Sequence, residues 1–87
     1  MTFALEYKSS VKKELRKLSR IDRILIVQKI ELLKREPRPE GSAKLKGSRD
    51  LFRIRHGDYR VIYRVKKDIL IIIIIRIGPR SEIYKNL

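Results

Sequence analysis

The run from Leu51 to Gly78, LFRIRHGDYRVIYRVKKDILIIIIIRIG, constrains the fold of this chain more than any other feature. Phe52 and Ile54 alternate with Arg53 and Arg55, and Val61, Tyr63 and Val65 alternate with Arg60, Ile62 and Arg64. That is the period-two pattern of strands with one apolar and one wet face. Gly57-Asp58 between them reads as a two-residue hairpin loop of the Gly-X kind. Such a loop sets His56 opposite Tyr59, Arg55 opposite Arg60, Ile54 opposite Val61 and Phe52 opposite Tyr63. Directly paired residues share a face. Phe52, Ile54, Val61 and Tyr63 therefore stack on one side, and Arg53, Arg55, Arg60 and Arg64 collect on the other. Opposed Arg55 and Arg60 repel, which a sheet tolerates best where an anion sits between them. The bland use of these arginines is a solvated sheet face; four arginines without an acid speak for the anion.

The rest of the chain builds around this meander. Thr2 to Tyr7 reads as a first strand, with Phe3, Leu5 and Tyr7 on one face. Ser9 or Ser10 can cap a helix of two to three turns carrying Val11, Leu15 and Leu18. Asp22 can cap a second helix running to about Glu36, with Leu25, Ile26, Lys29, Ile30, Leu32 and Leu33 at helical spacings, until Pro37 and Pro39 stop it. Pro37 to Ser42 is a loop, and Ala43 to Lys46 a short strand or an entry into the sheet. Lys66-Lys67-Asp68 forms the second meander turn. A two-residue loop there leaves Arg76 off the arginine face and a three-residue loop puts it on, so the register stays open. Ile69 to Ile75 lacks alternation, as in a strand covered on both sides, the second cover being Ser81 to Leu87 or a partner. The expected architecture is α+β: an N-terminal strand and a two-helix hairpin on an antiparallel three-strand meander, one domain over 1–87.

Net charge is +13 on 87 residues. Residues 1–42 hold eleven Lys/Arg and six Asp/Glu, and residues 43–87 twelve and four, so the excess lies toward the sheet. A chain so basic attracts polyanions, with affinity that falls steeply as salt rises. Cysteine is absent, so no disulfide frame or thiolate metal site is available, which fits a reducing compartment. The N-terminus lacks the pattern of a secretory signal, and the isoleucine run is far short of the ~20 residues a membrane helix needs. A cytoplasmic location without membrane association is the expectation. His56 is the one histidine, beside a hairpin turn with no nucleophile elbow, and reads as a turn residue. The carboxylates are scattered, and no Gly-rich phosphate loop occurs, so neither a metal nor a small-molecule cofactor is expected.

Four motifs in order, K-L-K-G (44–47), F-R-I-R (52–55), G-D-Y-R-V-I-Y (57–63) and I-G-P-R-S-E-I-Y (77–84), resemble the RelE branch of the RelE/ParE toxin superfamily. The likeness covers nearly the whole chain. It implies a RelE-like microbial ribonuclease fold and a toxin that cleaves messenger RNA on the ribosome. It also implies neutralisation by a cognate RelB-like antitoxin, acidic and amphipathic. In such cleavage the 2′-hydroxyl attacks the adjacent phosphate, and a doubly charged phosphorane must be stabilised. Arginine suits this task, being permanently charged and able to grip phosphate oxygens in pairs. By resemblance Arg60 and Arg80 match the family's phosphate-binding arginines. Tyr84 matches its late tyrosine, which stacks on a base or bonds the ribose; anchoring the tail in the core is its alternative use. Arg53 and Arg55 stand where relatives carry lysines proposed as base, and Pro79 where many have a histidine or lysine. Arginine is no base at neutral pH. Lys46 is the remaining candidate base, with Arg53, Arg55, Arg64 and Arg76 left to bind RNA. Two other functions compete: a ParE-like inhibitor of DNA gyrase without nuclease activity, and a non-enzymatic basic RNA-binding protein.

Overall fold

The computed structural model describes residues 2–85. Residue 1 and the end of the expected tail, 86 and 87, lie outside them. The elements are β1 (Ala4–Tyr7), α1 (Ser9–Arg16), α2 (Arg20–Leu32), β2 (Ala43–Lys44), β3 (Leu51–His56), β4 (Tyr59–Lys66) and β5 (Ile71–Pro79). The strands form one sheet in the order β1-β5-β4-β3-β2, with β1 parallel to β5 and every other pair antiparallel. A strand, a helical hairpin and an antiparallel meander thus follow in the expected order, with β2 added at one edge.

The β3–β4 hairpin has the register that its loop dictates: His56 pairs with Tyr59, Arg55 with Arg60, Ile54 with Val61 and Phe52 with Tyr63. Gly57 sits at φ +57, the left-handed conformation that the first loop position requires. One face of the sheet carries the core. Phe52, Ile54, Val61, Tyr63, Val65, Ile72, Ile74 and Ile77 pack there against Val11, Leu18, Ile26, Ile30 and Leu33 of the helical layer. Phe52 and Tyr63 stack with ring centroids 5.9 Å apart, as directly paired aromatics do.

The second turn is longer than expected. Lys66 still belongs to β4, and the loop is Lys67–Leu70, so Ile69 lies exposed in a turn rather than in a buried strand. A four-residue loop has the parity that would turn Arg76 into the core. A bulge prevents it: Ile62 pairs with Arg76 but Tyr63 with Ile74, leaving Ile75 as the extra residue. The core residues of β5 accordingly switch from Ile72 and Ile74 to Ile77, and Arg76 joins the arginine face. β5 is buried fully on one face only; Ile71, Ile73 and Ile75 are half-buried.

The helix caps also differ from expectation. α1 begins at Ser9 with Lys8 in the cap position and no side-chain cap. Ser19, not Asp22, caps α2: its Oγ accepts from Asp22 N at 3.1 Å and donates to Asp22 Oδ2 at 3.0 Å. Asp22 then occupies the third helical position, where an acid complements both the cap and the helix dipole. α2 ends at Leu32 and residues 33–36 close in turns, after which Pro37 disfavours any return to helix. Ile26, Ile30 and Leu33 form the buried stripe at i, i+4, i+7, which leaves Leu25, Lys29 and Leu32 exposed, off that face.

Tyr63 is the largest buried side chain, and its hydroxyl donates to Pro37 O at 2.7 Å, tying the loop after α2 to the centre of the sheet. Burial pushes the phenol up to about 12, against smaller lowering effects from Ser42 and Arg38. The neutral phenol is therefore favoured by the fold. Its contribution is complete below the unfolded tyrosine's value of 10.0 and is lost as pH rises from there through about 12. In denaturant titrations from pH 9 to 12 the wild type should lose stability more steeply than Tyr63→Phe. Ser19→Ala should cost about 1 kcal/mol of unfolding free energy at neutral pH, without altering the sheet.

Candidate anion-binding site

The polar face of the sheet gathers its arginines at the hairpin end. Arg53, Arg55, Arg60, Arg80 and Tyr84 line one open cavity of about 300 Å³. Arg53 and Arg55 come from β3 and Arg60 from β4, while Arg80 and Tyr84 belong to the turn that follows β5. That turn is brought to the hairpin by the backbone, since Arg80 N donates to Asp58 O at 2.7 Å.

The like-charged pair across the ladder is handled by carbonyl dipoles. Arg60 Nη1 donates to Gly57 O at 2.8 Å and to Tyr59 O at 3.0 Å, which holds its guanidinium against the hairpin loop. Arg60 is buried, at 8% exposure, yet its fork still borders the cavity. Arg53 differs. Its Nη1 is buried and has no hydrogen-bond partner among the described residues. Leaving a charged donor buried and unsatisfied costs on the order of 1–3 kcal/mol, a cost that an oxyanion in the cavity would remove. The lining contains no carboxylate, so its donor set suits an anion and offers little to a cation.

Tyr84 is half-exposed at 46%, and Ile83 beside it is the tail's buried anchor at 1%. The tail is thus fastened by its isoleucine, which frees the tyrosine to face the cavity. The remaining expected residues lie elsewhere. Arg64 Nη1 is engaged by Asp50 Oδ1 at 2.6 Å. Arg76 Nη1 donates to the carbonyls of Ile83, at 3.3 Å, and Lys85. Lys46 is exposed beyond β2, at the Leu51 end of β3 and remote from the hairpin turn, and does not line the cavity. His56 Nε2 meets Asp22 Oδ1 at 3.0 Å, joining the hairpin to α2. The bonds from His56 and then Ser19 hold the Asp22 carboxyl below its usual value.

Two polar side chains that the motifs did not single out bond the open edges of strands that carry the site. Glu14 Oε1 accepts from Ile77 N at 2.8 Å where β1 no longer covers β5, and Lys29 Nζ donates to Arg55 O at 2.9 Å where β2 no longer covers β3. Neither stands in a motif; only the ends of β1 and β2 make these positions matter.

A helical hairpin on one face of a sheet, with guanidinium groups converging on the other, defines a small basic α+β protein with an anion cavity. A family model described as the ParE toxin of the type II toxin-antitoxin system, parDE, matches residues 5–84. The chain is 38% identical over 89 residues to toxin RelE1 of Methanocaldococcus jannaschii, covering 99% of each chain. It is similar to the archaeal RelE–RelB complex from Pyrococcus horikoshii OT3, with TM-score 0.83 and 33% identity over 94% of this chain and 99% of that one. It is also similar to an arginine-to-alanine double mutant of E. coli toxin RelE in the free state, with TM-score 0.81 and 28% identity over 93% and 86% of the two chains. The chain belongs to the RelE/ParE superfamily of type II toxin-antitoxin toxins. No helix among the described residues is long and apolar enough to cross a membrane.

If Arg53 holds its buried donor in reserve for an oxyanion, Arg53→Met should make the free protein more stable by about 1 kcal/mol in anion-poor buffer. The same variant should bind inorganic phosphate more weakly by calorimetry. A loss of stability with unchanged phosphate binding would contradict this reading.

Proposed function

We propose that this protein is a ribosome-dependent endoribonuclease toxin that cleaves messenger RNA by attack of a 2′-hydroxyl on the adjacent phosphate. The observation that supports it is the single cavity shared by Arg53, Arg55, Arg60, Arg80 and Tyr84. Attack by the 2′-oxygen forms a bond to phosphorus and expels the 5′-oxygen, which takes up a proton from water to become a 5′-hydroxyl, leaving a 2′,3′-cyclic phosphate. Between these states the phosphorane carries one more negative charge than the ground state. Preorganised guanidinium groups stabilise that difference most, because they need not reorient as the charge develops. Arg60 is suited to this role by its anchored fork, and Arg80 approaches from the tail as the second phosphate ligand. Arg53 and Arg55 hold the RNA backbone, and Tyr84 stacks on a base or bonds the reacting ribose.

None of the lining groups is an effective base at neutral pH. In this reading the attacking hydroxyl loses its proton to water or to a group supplied by the ribosome, and Lys46 has no part in the transfer. The rate then rests on charge stabilisation and on the placement of the substrate by the ribosome.

The partner in this reading is a RelB-like antitoxin, as in the RelE–RelB complexes of Pyrococcus horikoshii and Methanococcus jannaschii. A net charge of +13 and the exposed apolar residues Ile21, Leu25 and Leu32 on α2 favour an acidic, amphipathic partner. The ParE description of the matching family model supports a second reading, inhibition of DNA gyrase without hydrolysis.

Induced expression of the wild type should arrest growth, and mapped 5′ ends of translated messages should appear within codons at the decoding site. Arg80→Ala should lower cleavage about 10²-fold or more, as loss of one oxyanion donor does, and Arg60→Ala with Arg80→Ala should abolish arrest at equal soluble expression. Growth arrest with intact message and broken DNA would move the assignment to gyrase.

A further inference from the structure

Arg76 grips backbone carbonyls of the tail that follows its own strand. The β5 bulge turns it onto the polar face, in a cross-strand row with Ile62 and Arg53. Instead of facing the cavity, its Nη1 donates to the carbonyls of Ile83 and Lys85, the residues on either side of Tyr84. Between those two bonds the chain has little freedom to move Tyr84 away. A second fastening lies close by. Ile83 is 1% exposed and Ile62 0%, and neither joins the main core on the helical face. A Cβ on Gly78 would meet Ile83 Cδ1 at 3.6 Å, so the isoleucine lies on β5 itself, where β5 has no side chain. A third is the start of the tail, where Arg80 N bonds Asp58 O and the amides of Glu82 and Ile83 both donate to Pro79 O.

We infer that Arg76 is a positioning residue: it clasps the two carbonyls flanking Tyr84 and so holds the tyrosine at the rim of the arginine cavity, without itself contacting the ligand's phosphate. Both bonds come from one nitrogen, Nη1, whose N–H groups are fixed in the guanidinium plane, whereas a lysine ammonium is a compact point charge on a flexible stem. The role explains why an arginine is kept on this face yet spends its donors on the protein. It also makes the tail a part of the site that depends on docking rather than on strand pairing. This inference rests on the cavity being the ligand site proposed above, but its test requires no cleavage.

The test combines hydrogen exchange with a binding cycle on the full chain. A 2′-O-methyl RNA trinucleotide serves as probe, since its blocked 2′-oxygen cannot attack. Arg76→Lys, which keeps the charge, should speed exchange at the Glu82 and Ile83 amides while strand amides of β3 and β4 stay protected, a built-in control for folding. Tyr84→Ala should weaken trinucleotide binding about tenfold, the scale of one lost base stack. Arg76→Lys should weaken it by a similar factor in the wild-type background and have no further effect in the Tyr84→Ala background. The dependence of affinity on salt should be unchanged in Arg76→Ala, whereas loss of a phosphate contact on single-stranded RNA reduces the slope by about 0.7. Multiplying effects of the two substitutions, a reduced salt slope, or full binding by Arg76→Lys would overturn the proposal. So would unchanged exchange of the tail amides. Failure of the wild type to bind the probe at low salt would instead count against the cavity as the ligand site, and the exchange result alone would then judge Arg76.

Discussion

Repulsion among guanidinium groups is the constraint that organises the polar face of this sheet. Arg55 and Arg60 face each other directly across one ladder, and Arg53 and Arg76 flank Ile62 in the next row. Such crowding is tolerable only if each charge is compensated locally. The fold compensates them unequally. Arg60 takes two carbonyls of its own hairpin, Arg64 takes Asp50, and Arg76 takes the carbonyls of the tail. Arg53 retains a buried donor without a partner among the described residues. Arg64 and Arg76 are thereby held away from the cavity, and Arg53, Arg55, Arg60 and Arg80 converge on it.

The other face supplies the rigidity that this arrangement needs. Fully buried aliphatics from both helices and three strands pack there, and the hydroxyl of Tyr63 locks the loop after α2 across the sheet. Both edges of the sheet are open at the cavity end, because β1 reaches only Ile74 and β2 only Arg53. Glu14 and Lys29, projecting from the helices, close those edges with single hydrogen bonds. An unpaired edge is a site for unwanted strand addition, and a charged side chain placed on it is a common defence. The helical layer thus does more than bury the core: it finishes the strands that carry the arginines.

The cavity has a consequence for chemistry. Its donors are permanently charged or weakly acidic, so it can bind and stabilise negative charge but has little capacity to accept a proton. A toxin built on such a site would gain most of its rate from electrostatic preorganisation and from the company in which it meets its substrate. This suits an activity that depends on the ribosome.

Local pattern alone determined the β3–β4 hairpin. The alternation of Phe52 to Val65 and the Gly57-Asp58 loop leave one register in which the apolar set shares a face, since a slip by one residue would turn every arginine inward. The helical hairpin and the separation of core from arginine face were legible for the same reason, whereas the grouping of Arg60, Arg80 and Tyr84 came from the resemblance of the motifs. What followed was not. Ile71 to Ile75 have identical side chains, so nothing in their order says which face each occupies, and only pairing with β4 created the bulge that turned Arg76 outward. Ser19 and Asp22 both suit a helix cap, and the path of the chain chose between them. Distance across the fold decided the rest: Arg64 found Asp50, Lys46 fell at the far end of β3, and Ile83 rather than Tyr84 went beneath the tail. Those outcomes depend on contacts between residues far apart in the chain, about which neighbouring residues carry no information.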